Sequence, residues 1–191
     1  MPRIIAGRFK GLKLAAPPGR KTRPTADRVK ESIFSILESL PFDLKGARVI
    51  DFFAGSGALG LEALSRGASS ALLADMDRGA LAVIRKNISA LGPDGRAEVL
   101  AVRWPQGLTR LRGGPAFDLF LLDPPYDQFE LPLSILKAGA ELSLVAPKAV
   151  AVWEQAPENI KKLAAADLKP WKVIKGRSWG GQAAAFLIYD P

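Results

Sequence analysis

From Ala47 onward, short apolar runs alternate with stretches whose apolar residues recur every three or four positions. Alternation of this kind is what strands and amphipathic helices leave in a sequence when they follow one another. Arg48-Val49-Ile50-Asp51-Phe52 predicts a buried strand, and Gly57 to Ser65 a helix. Ala71 to Ala74 predicts a second strand, followed by a helix over about 78–91 with Leu81, Ile84, Ile88 and Leu91 on one face. Residues 98–102 predict a third strand, and Phe117 to Leu122 a fourth, the most apolar of the set, as a central parallel strand requires. A helix over about 130–139, a strand near 149–154 and a final pair of strands over 170–177 and 183–189 complete the series. The pattern predicts a doubly wound α/β domain, its twisted sheet mostly parallel with helices on both faces, ending in an antiparallel strand pair.

The first 45 residues follow a different pattern. Arg3 to Ala6 and Leu12 to Ala15 flank a glycine-containing turn and predict an extended hairpin. Pro17-Pro18-Gly19 breaks the chain, and Thr25 suits the N-cap of a helix over 26–39 with Val29, Ile33, Ile36, Leu37 and Leu40 on one face. Pro41 stops that helix. The expected organisation is a hairpin-and-helix extension over 1–45, packed on a core domain over 46–191.

Composition narrows the chemistry. The 191 residues are 48% apolar, enough for one core, and no apolar run approaches the roughly 20 residues of a membrane helix. The N-terminal segment interrupts its apolar residues with charges, so it has no signal-peptide core, and a cytoplasmic protein without a membrane partner is expected. The absence of Cys excludes disulfides, thiolate nucleophiles and thiolate metal sites, and the absence of His excludes imidazole proton shuttles and Ser–His–Asp triads. No metal is expected. The net charge of +8 suggests a polyanionic partner, and it is concentrated: residues 1–48 hold 11 basic and 4 acidic residues, a net of +7. Arg3, Arg8, Lys10, Lys13, Arg20, Lys21 and Arg23 all precede the first acid, Asp27. A second cluster, Lys161 to Arg177, reads equally well as a solvated face or as a further anion contact.

Two motifs carry chemistry. Asp51-Phe52-Phe53-Ala54-Gly55-Ser56-Gly57-Ala58-Leu59-Gly60 runs from a strand into a helix, where glycines allow a tight turn and close approach of a ligand to backbone. Asp75 follows the second strand about 20 residues after Gly55, where an acid can bind ribose hydroxyls. Such a loop serves the pyrophosphate of NAD(P) or the amino-acid end of S-adenosylmethionine. Asp51 favours the second, because an ammonium seeks an acid and a pyrophosphate does not. Asp123-Pro124-Pro125-Tyr126 follows the fourth strand. The Asp123 side chain and the Pro124 carbonyl make two acceptors that can hold the hydrogens of an exocyclic amine and aim its lone pair at a methyl donor. The proline pair stiffens the turn, and Tyr126 offers a stacking face for a base.

Together these segments resemble amino-group methyltransferases that act on bases of nucleic acids. Arg3-Ile4-Ile5-Ala6-Gly7-Arg8-Phe9-Lys10-Gly11, Arg23-Pro24-Thr25-Ala26-Asp27-Arg28, the loop from Asp51 to Ala68 and the closing Arg177-Ser178-Trp179-Gly180-Gly181-Gln182 are similar to the bacterial RsmD family. The resemblance implies a Rossmann-like class I methyltransferase that modifies N2 of a guanine in small-subunit (16S) ribosomal RNA, free or in the small ribosomal subunit, as a monomer. It implies S-adenosylmethionine held by Asp51, Ala54, Gly55, Ser56, Gly57, Asp75 and Met76. Chemistry falls to Asp123, Pro124, Pro125 and Tyr126, and RNA contacts to Arg3, Arg8, Lys10, Arg20, Lys21, Arg23 and Arg28. The sequence departs from the family at Val102-Arg103-Trp104-Pro105, which lacks the usual acid after the third strand, and at Asp75-Met76-Asp77, where Glu-x-Asp is usual. Alternatives are a DNA adenine-N6 methyltransferase, for which the chain has little room for DNA recognition, and a non-catalytic RNA-binding protein on this scaffold.

Overall fold

The computed structural model describes residues 2–17, 24–92, 96–125, 127–163 and 166–191, with backbone alone at 24–26. Arg20, Lys21, Arg23 and Tyr126 lie outside the described residues. The chain divides into two compact units, Met1–Val102 and Arg103–Pro191.

In the first unit, strands β1 (Arg48–Asp51), β2 (Ser70–Asp75) and β3 (Ala97–Ala101) form a parallel array with β2 in the middle. Helix α1 (Pro24–Ser39) begins two residues before the expected start, so Thr25 lies inside the first turn instead of capping it. Proline suits that first position because its missing N–H would have had no helical partner. Helix α2 (Ala58–Ser65) follows Gly57, whose φ of 79° is left-handed, a conformation that costs glycine no side-chain clash. Gly60 serves closeness: a Cβ there would lie 2.2 Å from Leu73 Cδ2 on β2. Helix α3 (Arg78–Ala90) is capped by Asp77, which accepts the Ala80 N–H at 2.7 Å. Its buried face carries Ala80, Leu81, Ile84 and Asn87, and the expected Ile88 is only half-buried.

The expected N-terminal hairpin forms with one antiparallel bridge, Arg3 to Lys13, and a turn tightened by the Ile4 N–H to Leu12 carbonyl bond. It is bound closely to the rest of its unit. A Cβ on Gly7 would stand 1.8 Å from the Ser65 carbonyl oxygen, and Ser65 bonds the hairpin through both Oγ and its own carbonyl.

In the second unit, strand β4 (Phe117–Leu122) pairs in parallel with β5 (Val145–Gln155), which is longer than its apolar run suggested. Strands β6 (Trp171–Trp179) and β7 (Gln182–Tyr189) are antiparallel, and β7 pairs antiparallel to β5, so the order within the unit is β4-β5-β7-β6. Helix α4 (Glu130–Glu141) matches expectation, while α5 (Pro157–Lys162) and a short 3-10 turn over Gln106–Leu111 were not foreseen. The unit's core centres on Trp171, which stacks edge-on against Phe120 and Tyr189 and donates its indole N–H to the Leu136 carbonyl. No helix among the described residues is long and apolar enough to cross a membrane.

Candidate active site

The glycine loop is held from both ends. Asp75 Oδ2 accepts the Gly55 N–H at 2.9 Å, and its Oδ1 accepts the Asp77 N–H at 2.9 Å. Each oxygen takes one backbone proton, and a carboxylate oxygen has two acceptor positions, so Asp75 retains capacity for a hydroxyl donor. Asp51, 1% exposed at the end of β1, accepts the Gly60 N–H at 3.1 Å through Oδ2. The sequence reading sets this acid against a ligand ammonium; in the structure it lies beneath the loop, where it also ties the first turn of α2 to the strand. Ala54 is buried and donates to the Ala74 carbonyl, while Met76 is 62% exposed immediately beyond Asp75.

Asn87 was missed. Its side chain accepts the Ala15 N–H at 2.8 Å and donates to the Ala15 carbonyl at 3.0 Å and the Ser56 carbonyl at 2.8 Å. One buried amide thus joins the hairpin's outgoing strand to the glycine loop. An Asn within the apolar seam of α3 was the available signal, since a helix interior buries such a group only when its bonds are met.

The second missed group is Glu62, fully buried in α2. Its carboxylate accepts the N–H groups of Ile5 at 2.7 Å and Ala6 at 3.0 Å, and it pairs with Arg66 at 2.9 Å and Lys30 at 3.4 Å. Lys30 also donates to the Arg3 carbonyl at 2.6 Å, and burial pushes its ammonium pKa down, partly offset by Glu62 and Asp27.

Of the predicted RNA contacts that are described, Arg8, Lys10 and Arg28 are exposed on the first unit. Arg3 is exposed too, but it pairs with Asp27 at 3.1 Å. In the second unit, Asp123 and Pro124 directly follow β4; Asp123 is half-buried and Pro124 buried. The Pro125 carbonyl accepts the Gln128 N–H at 3.0 Å, closing a tight turn. Phe129 then packs on Trp153 of β5, with ring centroids 5.3 Å apart.

A strand–glycine loop–helix with an acid after the next strand, and an Asp-Pro-Pro turn after the fourth, define a Rossmann-like class I methyltransferase. The comparisons agree with that class and narrow it. The family model described as Conserved hypothetical protein 95 matches residues 2–188, and the chain belongs to this family, the RsmD-like methyltransferases. It is 34% identical over 179 residues to the ribosomal RNA small subunit methyltransferase D of Haemophilus influenzae, covering 93% of this chain and 89% of that one. With the enzyme of the same name from Escherichia coli it shares 42% identity over 124 residues, which is 65% of this chain and 60% of the relative's length. The solved structure of yhhF from Escherichia coli superposes with a TM-score of 0.82 at 29% identity, covering 99% of this chain and 98% of that one.

Proposed function

We propose that the chain methylates the exocyclic N2 amine of a guanine in small-subunit (16S) ribosomal RNA, using S-adenosylmethionine. The observation that carries this is the Asp123-Pro124-Pro125 turn at the end of β4 in a chain that aligns over 93% of its length with a ribosomal RNA small subunit methyltransferase. Strand ends of this kind deliver acceptors to the ligand side of an α/β sheet.

S-adenosylmethionine supplies an electrophilic methyl on a sulfonium, a leaving group that needs no protonation, which suits a chain without His or Cys. The residues present fit such a cofactor. Asp75 has acceptor capacity for ribose hydroxyls, Met76 has an exposed thioether that would lie against an adenine, and the backbone of Ala54, Gly55, Ser56 and Gly57 forms the loop before the N-terminus of α2. Asp51, buried beneath that loop, supplies the negative charge that favours an ammonium there. Asp123 and the Pro124 carbonyl would hold the two hydrogens of the guanine amine and leave its lone pair free to take the methyl; as the N–CH3 bond formed, the S–CH3 bond would break, S-adenosylhomocysteine would leave, and the nitrogen would pass one proton to water. Pro125 stiffens the turn and Tyr126 stacks on the base. Placement is the main catalytic device, and well-oriented reactants can account for about 7–11 kcal/mol of barrier. The guanine must be unstacked to be reached, so the substrate is an exposed nucleotide of rRNA or of the small subunit. The extension over 1–45 binds the RNA through Arg8, Lys10, Arg20, Lys21, Arg23 and Arg28, with Arg3 contributing through its exposed guanidinium.

Asp123→Ala should lower turnover at least about 100-fold, the cost of a misplaced reactant, while cofactor affinity stays within a factor of about two. Nucleoside analysis of the methylated RNA should yield N2-methylguanosine. Unchanged turnover would remove Asp123 from the mechanism, and methyl on adenine would overturn the base assignment.

A further inference from the structure

Neither the cofactor nor the target amine gives a task to the closing segment Arg177-Ser178-Trp179-Gly180-Gly181-Gln182, which forms the end of the β6–β7 hairpin. β6 is the last strand in the sheet order, and residues 172–178 are all exposed. Its register with β7 sorts the side chains by face. Trp171, Val173, Gly176 and Ser178 pair with Tyr189, Leu187, Ala185 and Ala183, and this is the face covered by α5, where a Cβ on Gly176 would lie 3.8 Å from Ile160 Cγ2. Lys172, Lys175, Arg177 and Trp179 pair with Ile188, Phe186, Ala184 and Gln182 and therefore share the opposite face.

A bulge creates this grouping. Lys172 and Lys175 are three residues apart, so a regular strand would point them to opposite faces. The register shift between Val173 and Lys175 brings them onto one. Lys172 is ion-paired with Asp190, whose carboxyl that ammonium holds below the usual range. Lys175 and Arg177 form no ion pair among the described residues. The face thus presents two uncommitted cations and then a half-exposed tryptophan at alternate positions, about 6.7 Å apart, a step that one nucleotide of an extended strand can span.

The face also has a fixed relation to the Asp123 turn within the same unit. Leu122 is level with Trp153, Trp153 with Ala185, and Ala185 with Gly176. Asp123 is the first residue beyond that end of β4, and on the neighbouring strands the next level is Glu154, Ala184 and Arg177. Three strand spacings separate Leu122, which precedes Asp123, from Gly176, which precedes Arg177, roughly 14 Å. A base held at Asp123 would leave its neighbouring nucleotides within reach of β6.

We propose that Lys175, Arg177 and Trp179 form a track for single-stranded RNA flanking the target nucleotide, the two cations on phosphates and the indole stacked on a base. A basic groove ending in an aromatic platform is how proteins hold unpaired strands. The track rests on the rRNA reading above. It assigns the end of the second basic cluster, Lys175 and Arg177, to substrate, where the other use of these cations would be to keep an exposed edge strand from pairing with a second copy of the chain.

The test is binding of deproteinised 16S rRNA by the full chain across a salt series, with S-adenosylmethionine affinity measured on each variant. Lys175→Ala combined with Arg177→Ala should weaken binding about tenfold or more and lower the slope of log affinity against log salt by about 1.4, the value for two single-strand phosphates. Trp179→Ala should lose about tenfold with little change in slope, and Trp179→Phe should recover most of it. If the wild type does not bind rRNA, the function proposed above falls and takes the track with it. If the wild type binds and the variants match it in affinity and slope, the track alone is wrong. Variants that self-associate with RNA binding intact would make these residues edge protection and overturn the proposal. Should a variant lose cofactor binding through misfolding, crosslinking 4-thiouridine-substituted rRNA to the wild type decides: crosslinks within 171–182 support the track, and their absence there refutes it.

Discussion

Removing the Glu62 carboxylate should release the N-terminal hairpin, and the structure sets the size of the effect. Glu62→Ala leaves the N–H groups of Ile5 and Ala6 without their acceptor and strands two cations whose side chains are only 6% and 10% exposed, Lys30 and Arg66. Breaking a buried pair by deleting one partner costs about 3–5 kcal/mol, and an orphaned buried N–H about 1–3 kcal/mol. These terms overlap, and Arg66 keeps a second partner in Glu38 at 2.7 Å, so a total of about 4 kcal/mol is expected. For a chain of this size that corresponds to roughly 8–16 °C in Tm. Glu62→Gln keeps an acceptor for one N–H and should lose about half as much. Urea unfolding gives the free energy, and limited trypsin digestion reports the hairpin: cleavage after Lys10 and Lys13 should accelerate before the rest of the chain is cut. A loss below about 1 kcal/mol with an unchanged tryptic pattern would refute the account, because it would mean that the hairpin is held without this carboxylate.

Two further outcomes follow from the same unit. Asn87→Asp keeps the acceptor for the Ala15 N–H but loses both donors, so the Ser56 carbonyl is no longer pinned; KM for S-adenosylmethionine should rise about tenfold with kcat at saturating cofactor nearly unchanged, whereas a purely structural role would lower Tm and leave KM alone. Lys30, whose pKa burial lowers, carries its full desolvation cost at every pH below the folded value, and that cost is relieved as pH climbs from there to the ordinary lysine value. Stability of the wild type relative to Lys30→Met should therefore rise with pH through that alkaline window, and a flat difference in urea midpoints would contradict it.

The fold was legible where local pattern and burial agree. β4 was expected at its observed limits because a central parallel strand is apolar on both faces and needs no partner chemistry to be recognised. The helices over 58–65, 78–90 and 130–141 were placed within two residues because 3.6-residue periodicity and a glycine or acid at the start coincide. α5 was not, since Pro157 to Lys162 is too short to show a period. At the site, the glycines, Asp75 and Asp123 were visible because their chemistry is tied to a strand end. The roles of Glu62 and Asn87 were not legible because the hairpin groups each holds lie 56–72 positions away, although an Asn in an apolar helix seam does signal some buried partner. A carboxylate in an apolar helix reads as a surface group until the hairpin that covers it is known.

Charge shows the same limit and bears directly on the proposed grip on RNA. Counting residues gave the first 48 positions a net of +7, as though all of it faced solvent. The structure commits part of it internally: Arg3 to Asp27, and Lys30 to Glu62 and the Arg3 carbonyl. Among the described residues, the exposed cations of the hairpin and α1 are Arg3, Arg8, Lys10, Lys13 and Arg28, while Lys30 is buried. Phosphate contacts set affinity roughly in proportion to their number, so a cation tied up inside the unit, as Lys30 is, adds to the count without being available to an anion. Residues 49–191, with 16 basic and 15 acidic residues, hold Lys175 and Arg177 outside any ion pair among the described residues. Net charge by segment is therefore a poor guide to where a polyanion could bind: it counts the buried Lys30 in one segment, and in a segment whose sum is almost zero it hides two cations that a bulge sets on one face of an edge strand.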